Sequence, residues 1–143
     1  MKSISVIALL LMAFAWPPKK HIKVYLIGDS TMSIKLTKFY PETGWGMPFV
    51  YFFDSTVTVD NRAQNGRSTK SFLKENRWQP VVDNLQEGDY VFVQFGHNDE
   101  VPTKKNATTP TAFKNNLVKY ITDVRSKKAQ PVLLTPVARR KFD

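Results

Sequence analysis

The stretch Ile22-Lys23-Val24-Tyr25-Leu26-Ile27-Gly28-Asp29-Ser30-Thr31 decides how this chain is read. Its first six residues are mostly β-branched, aromatic or aliphatic, the composition of a buried strand. The run breaks at Gly28-Asp29-Ser30, so the strand delivers a serine to its carboxyl end. In open α/β sheets that edge is where ligands bind. A serine there can attack a carbonyl if hydrogen-bond donors are aimed at the oxygen that becomes negative and a base takes the proton.

Outward from this stretch, strands and helices alternate. Residues 22–27 form strand one. Residues 46–53 carry many large apolar groups and predict the start of a buried helix, with Pro48 in its first turn. Residues 56–60 alternate as a second strand. Ser68 caps a short turn, and Trp78, Val81, Val82 and Leu85 share one helical face that Gly88 ends. Residues 90–95 make a third strand, nearly all apolar and so buried on both faces. Thr109-Pro110 is a helix cap and first turn, after which Phe113, Leu117, Ile121 and Val124 recur at helical spacing. Pro131 stops that pattern, and residues 132–134 form a fourth strand. Such alternation implies βαβ units, a parallel sheet and right-handed crossovers. Four strands with three connecting helices make an incomplete doubly wound α/β sheet.

The 143 residues suit one domain. Lys2, the apolar residues 4–14 and the small-x-small pattern Ala13-Phe14-Ala15 read as a secretory signal peptide over 1–15, leaving the domain at 16–143. The apolar stretch is well short of the roughly 20 residues of a membrane span. The expected location is therefore secreted or periplasmic, with no membrane contact once the leader is cleaved. The chain has no cysteine, so it carries neither a disulfide nor a cysteine-linked lipid.

Lys and Arg outnumber Asp and Glu by 21 to 12, a formal charge of +9, and the resulting field favours anionic partners. Nucleic acid is excluded on two grounds. A secretion signal argues against it, and the basic clusters (Lys19-Lys20, Lys104-Lys105, Lys127-Lys128, Arg139-Arg140-Lys141) lack the interleaved aromatics of a stacking platform. An acidic extracellular polysaccharide is the partner class that remains. Nothing in the sequence specifies self-association.

Three polar signals each follow a strand: Ser30, then Asn65-Gly66-Arg67, then Gly96-His97-Asn98-Asp99. In a parallel sheet all three loops emerge at one edge. The backbone N–H groups of Ser30 and Gly66 and the side-chain amide of Asn98 then offer three donors for an oxyanion. Asp29 and Asp99 read as supporting residues that order their loops. Arg67 and Arg139-Arg140 are candidates for binding uronate carboxylates, beside the plainer reading as solvated arginines. His97 neighbours Asn98 and is a lesser substrate-binding candidate. Trp45, between two glycines, reads as core ahead of a sugar platform. The two histidines lie far apart without clustered carboxylates, so no metal-ligand spacing is present.

With these residues together, the chain resembles the SGNH (GDSL-type) hydrolases, and within them the rhamnogalacturonan acetylesterase-like branch. The matching segments are Gly28-Asp29-Ser30-Thr31-Met32, Gly44-Trp45-Gly46, residues 61–68, Phe95-Gly96-His97-Asn98-Asp99 and Thr135-Pro136-Val137-Ala138-Arg139-Arg140. The resemblance implies a flavodoxin-like three-layer α/β/α sandwich, here cut short after about strand four. It implies Ser30 as nucleophile, and Gly66 and Asn98 as oxyanion-hole residues. The implied reaction removes acetyl groups from a plant cell-wall polysaccharide of the rhamnogalacturonan or pectin type, without a cofactor. Thr31 replaces the leucine of the GDSL name. The family's Asp-x-x-His block near the C-terminus has no counterpart, because neither His21 nor His97 sits in such a pattern. Inactivity of this chain by itself is the expectation. The alternatives are an esterase, lipase or thioesterase acting on another acyl substrate, and a non-catalytic carbohydrate-binding remnant.

Overall fold

A computed structural model describes residues 21–138. The proposed leader over 1–15 and the Arg139-Arg140 pair lie outside the described residues. Four strands, β1 (Ile22–Gly28), β2 (Val57–Asn61), β3 (Tyr90–Gln94) and β4 (Gln130–Leu133), form one sheet in the order β2-β1-β3-β4. Every pairing is parallel. From β1 the chain moves outward to β2, then returns to the other side of β1 for β3. This reversal is the topological switch point where open α/β sheets hold ligands, and Ser30 follows β1 directly at it.

The two faces of the sheet differ. On one, Tyr25 and Ile27 of β1 join Val91 and Val93 of β3 in a core with three helices: α1 (Thr69–Lys74), α2 (Gln79–Asn84) and α3 (Pro110–Ser126). Phe95 stacks on Tyr120 at 5.9 Å, and Trp78 meets the same ring edge-on at 4.9 Å. Full burial of each such side chain is worth about 1.5–3 kcal/mol, so this face holds most of the stability. On the other face Val24 and Leu26 meet Met32, Ala63, Trp45 and Phe49. Among the described residues, that cover is the loop after β1 and a 3₁₀ turn, Pro48–Phe52.

Local chemistry explains the helix starts. Ser68 caps α1 with a reciprocal box to Ser71, and Thr109 caps α3 ahead of Pro110 at its first position. Three expectations need correction. The segment 46–53 is no buried helix, since Tyr51 and Phe52 stand 86% and 79% exposed on the 3₁₀ turn. Its apolar residues run consecutively, without the spacing that puts them on one side of a helix. Gly88 does not end α2, which stops at an extended Leu85; Gly88 instead turns into β3 with φ +90. Pro131 lies inside β4, paired with Val91. Among the described strands β4 is an edge, where a missing N–H costs no ladder bond.

Candidate active site

The turn after β1 is organised by the carboxylate of Asp29, which is buried and accepts from the Thr31 N–H and hydroxyl, both at 2.9 Å. Aspartate commonly orders a turn in this way, by hydrogen-bonding its own backbone two residues on. A second loop wraps around the outside. The Trp45 N–H donates to the Thr31 carbonyl at 2.9 Å, and a Cβ on Gly44 would lie 2.1 Å from the Ser33 carbonyl oxygen, so only glycine fits there. Ser30 projects from this turn half-buried. Among the described residues, neither its hydroxyl nor its N–H has a hydrogen-bond partner, whereas its carbonyl accepts from the Lys35 ammonium at 2.6 Å.

The loop after β2 closes a tight turn in which the Arg67 N–H donates to the Gln64 carbonyl at 3.3 Å. Gly66 takes the third position with φ +75, as a type II turn requires. A Cβ there would meet nothing within 4 Å, so the space above it is open. Its N–H has no acceptor among the described residues. Its carbonyl is held from behind by the Asn106 amide at 3.1 Å.

The loop after β3 supplies Asn98 and Asp99, both buried. Asn98 Nδ2 donates to the Arg67 carbonyl at 2.9 Å, and its Oδ1 accepts from Lys104 Nζ at 2.8 Å. These two bonds orient the amide and leave one N–H uncommitted. Asp99 accepts from the Thr69 N–H at 3.1 Å, from the Thr69 hydroxyl, and from Thr108 Oγ1 at 3.0 Å. It fastens this loop to the start of α1. Burial pushes the Asp99 carboxyl above the usual carboxylate range, against those hydrogen bonds, which pull it down.

The three strand ends are thus linked side to side. Lys35 and Ser33 join the Ser30 turn to Asn65, with Lys35 Nζ 2.9 Å from Asn65 Oδ1. Asn98 joins the Arg67 end of that same loop to β3. Chemically, the linked loops carry a serine hydroxyl, two backbone N–H groups without acceptors among the described residues, and an oriented neutral amide. Such a set can hold a tetrahedral oxyanion.

The other expected site residues fall as follows. Arg67 commits its Nε to Glu75 at 2.9 Å and one Nη to the Asn65 carbonyl at 2.8 Å. His97 turns its Nε2 toward the Val137 carbonyl. His21 bonds Thr58 at the amino end of β1, roughly 20 Å of strand away from Ser30. Trp45 packs edge-on against Phe49 at 5.4 Å and donates its Nε1 to Gln94 Oε1 at 2.6 Å, so it is part of the frame. Among the described residues, no group of three histidines, aspartates or glutamates is placed to hold a metal ion, and no helix is long and apolar enough to cross a membrane.

Two side chains that link the loops, Lys35 and Asn65, are given no such role by the sequence. Lys35, buried with 4% exposure, is a single lysine between exposed Ile34 and Leu36. Asn65 carries the bridge as the neighbour of the expected Gly66. A third, Gln94, was detectable: it is a polar residue closing an apolar strand, and it gathers Thr31, Trp45 and the Thr135 carbonyl.

No protein-family model matches the chain. The chain is 42% identical over 126 residues to the rhamnogalacturonan acetylesterase RhgT of Bacillus subtilis, covering 87% of this chain and 53% of RhgT. The crystal structure of protein YxiM from Bacillus subtilis superposes with a TM-score of 0.73 at 28% identity, over 84% of this chain and 34% of that one. A lipolytic protein of the G-D-S-L family from Desulfitobacterium hafniense shares the fold, with a TM-score of 0.59 at 18% identity over 80% of this chain and 59% of its own. The chain spans about half the length of the curated relatives it matches.

Proposed function

Starting from a chain of the SGNH (GDSL-type) hydrolases, rhamnogalacturonan acetylesterase-like in sequence, we propose that the whole protein removes acetyl groups from a plant cell-wall polysaccharide through Ser30. The observation that carries this reading is a Ser30 hydroxyl with no partner among the described residues, on a turn that Lys35 ties to the Asn65-Gly66 turn, whose Arg67 end Asn98 ties to the loop after β3.

The chemistry follows from that set. Ser30 Oγ attacks the acetyl carbonyl carbon and loses its proton to a base. The carbonyl oxygen takes the negative charge, and the N–H groups of Ser30 and Gly66 and the Asn98 amide hold it. The C–O bond to the sugar then breaks, the sugar oxygen takes the proton, and water releases acetate from the acyl-serine by the same route. We take the base from residues outside the described ones; His21 bonds Thr58 at the amino end of β1, and His97 directs its Nε2 to the Val137 carbonyl. Without a base a serine hydroxyl is a weak nucleophile at neutral pH.

An acidic, pectic substrate is the finer part of the reading. Beside Asn106, which holds Gly66, a groove is lined by Arg67, Lys70, Lys74 and Lys105 with Glu75 as its acid. The excess of positive charge suits a uronate-bearing chain lying across the serine. RhgT is itself named for acetylated rhamnogalacturonan as substrate. A secreted or periplasmic location belongs with this reading and rests on the leader pattern at Lys2 and Ala13-Phe14-Ala15.

The test is acetate release from acetylated rhamnogalacturonan, compared with acetylated xylan and with a small chromogenic acetate. The reading expects Ser30-dependent release, fastest on the acidic polymer. Release that survives Ser30→Ala would end it. Equal rates on xylan would keep the esterase and remove the pectic substrate.

A further inference from the structure

Lys35 is a buried cation that the ester chemistry above does not use, and its placement is specific. Its side chain is 1% exposed, and its ammonium meets three oxygens: the Ser30 carbonyl at 2.6 Å, Asn65 Oδ1 at 2.9 Å and Glu42 Oε1 at 2.8 Å. An ammonium has three protons to donate and no lone pair, so this set saturates it. Lys35 therefore has no capacity left to take the Ser30 proton. Its oxygens come from three separate segments: the nucleophile turn, the Gly66 turn and the loop that carries Glu42.

We propose that Lys35 is the positioning residue of this site, an ammonium clamp that sets the Ser30 turn against the Asn65-Gly66 turn so that their two N–H groups converge on one oxygen. Three features of the structure favour this over a plain core salt bridge. The Ser30 carbonyl belongs to the nucleophile itself, so a bond there sets the position of the serine. Asn65 immediately precedes Gly66, so holding its side chain fixes the peptide that presents the Gly66 N–H. Glu42 is half-exposed, with 54% of its side chain accessible, so the buried charge keeps a counterion at the surface. The hydrogen bond from Ser33 Oγ to the same Asn65 oxygen acts in parallel and comes from the same turn. A buried cation between the two donors also adds positive potential where the oxyanion forms.

This inference rests on the ester-hydrolase reading for its catalytic consequence but not for its geometry, and the experiment separates the two. Amide hydrogen exchange is measured on the protein and on Lys35→Met, alongside kcat and KM for a small chromogenic acetate. The expected result is faster exchange confined to residues 30–33 and 64–67, with the Val91 and Val93 amides of β3 unchanged. The kcat falls about 100-fold, the size expected for misplacing reacting groups by about an ångström, while KM stays within about twofold. Asn65→Asp, which keeps the acceptor, retains most of kcat. If Lys35→Met fails to fold, Asn65→Leu opens the same clamp from its other side and is judged in the same way. Unchanged exchange in both turns overturns the clamp, as does a kcat within twofold of the parent. A whole protein, its base included, that shows no Ser30-dependent hydrolysis overturns the esterase reading instead, and the exchange result still decides the clamp.

Discussion

The side-chain amide of Asn98 spends one hydrogen on the Arg67 carbonyl, 2.9 Å away, and its other hydrogen has no acceptor among the described residues. The loops after β2 and β3 are thereby joined at the residue that follows Gly66. Asn98→Ala removes the proposed oxyanion donor and this link together. The expected loss in kcat is on the order of 100- to 1000-fold. Asn98→Asp keeps the shape but replaces the donor with a negative charge, and it should be no better than alanine. Steady-state kinetics on a small acetate ester checks both.

Two glycines of the site should respond differently to alanine. At Gly44 the added methyl would lie 2.1 Å from the Ser33 carbonyl, so the wrapping loop must move off the nucleophile turn. Gly44→Ala should lower the melting temperature markedly and abolish turnover. At Gly66 the methyl has open space, and only the left-handed backbone, φ +75, resists it. That strain costs about 1–2 kcal/mol. Gly66→Ala should fold and melt a few degrees lower, and it should lose rate because the methyl stands beside the N–H proposed to meet the oxyanion. Thermal melts with paired kinetics distinguish the two.

Asp99 gives a stability prediction with a sign. Its folded carboxyl binds its proton more tightly than an unfolded one, because burial penalises the charge. The proton-linked part of its contribution is therefore complete below the ordinary carboxylate range and is lost as pH rises through the folded value, while its hydrogen bonds remain. The stability difference between the protein and Asp99→Asn should shrink as pH rises from about 3.8 upward. Asp99→Ala should cost on the order of 3 kcal/mol near neutral pH, since the Thr69 N–H, the Thr69 hydroxyl and the Thr108 hydroxyl lose their acceptor. Denaturant titrations across pH give both numbers.

The basic groove separates polymer binding from chemistry. Lys74→Glu with Lys105→Glu reverses two charges lining it, and neither residue belongs to the oxyanion set. For a uronate-bearing acetylated polymer, KM should rise severalfold, and added salt should reduce the difference because exposed charges are screened. For a neutral chromogenic acetate kcat and KM should not change. Kinetics on the two substrates at low and high salt decide it.

The parts of this protein that were legible in its sequence share one property: their signal is local. A continuous apolar run ending in Gly28-Asp29-Ser30 identifies a buried strand and its carboxyl end at once, and Thr109-Pro110 with Phe113, Leu117 and Val124 identifies α3. Parallel pairing then brings residues 30, 66 and 98 to one edge, as expected from the order of the strands. Lys35 was not legible, because its meaning depends on Asn65, thirty residues later, and on a loop path with no periodicity. The aromatic segment before Phe53 misled for the opposite reason. Its composition suits a core, but a short 3₁₀ turn cannot bury consecutive side chains on one side. The position of Pro131 depended on β4 being an edge among the described strands, a fact of sheet order that no local pattern records.

The central claim is geometric: one oxygen, bound to the carbon or phosphorus that Ser30 attacks, is met by donors from three loops. The measurement that tests it most directly is a crystal structure of the protein after reaction with a small methylphosphonate ester, which mimics the tetrahedral intermediate. The account predicts phosphorus on Ser30 Oγ and one phosphoryl oxygen about 3 Å from Ser30 N, Gly66 N and Asn98 Nδ2. An adduct on another residue, or a Ser30 adduct whose oxygens all lie beyond hydrogen-bond reach of Gly66 and Asn98, would contradict it.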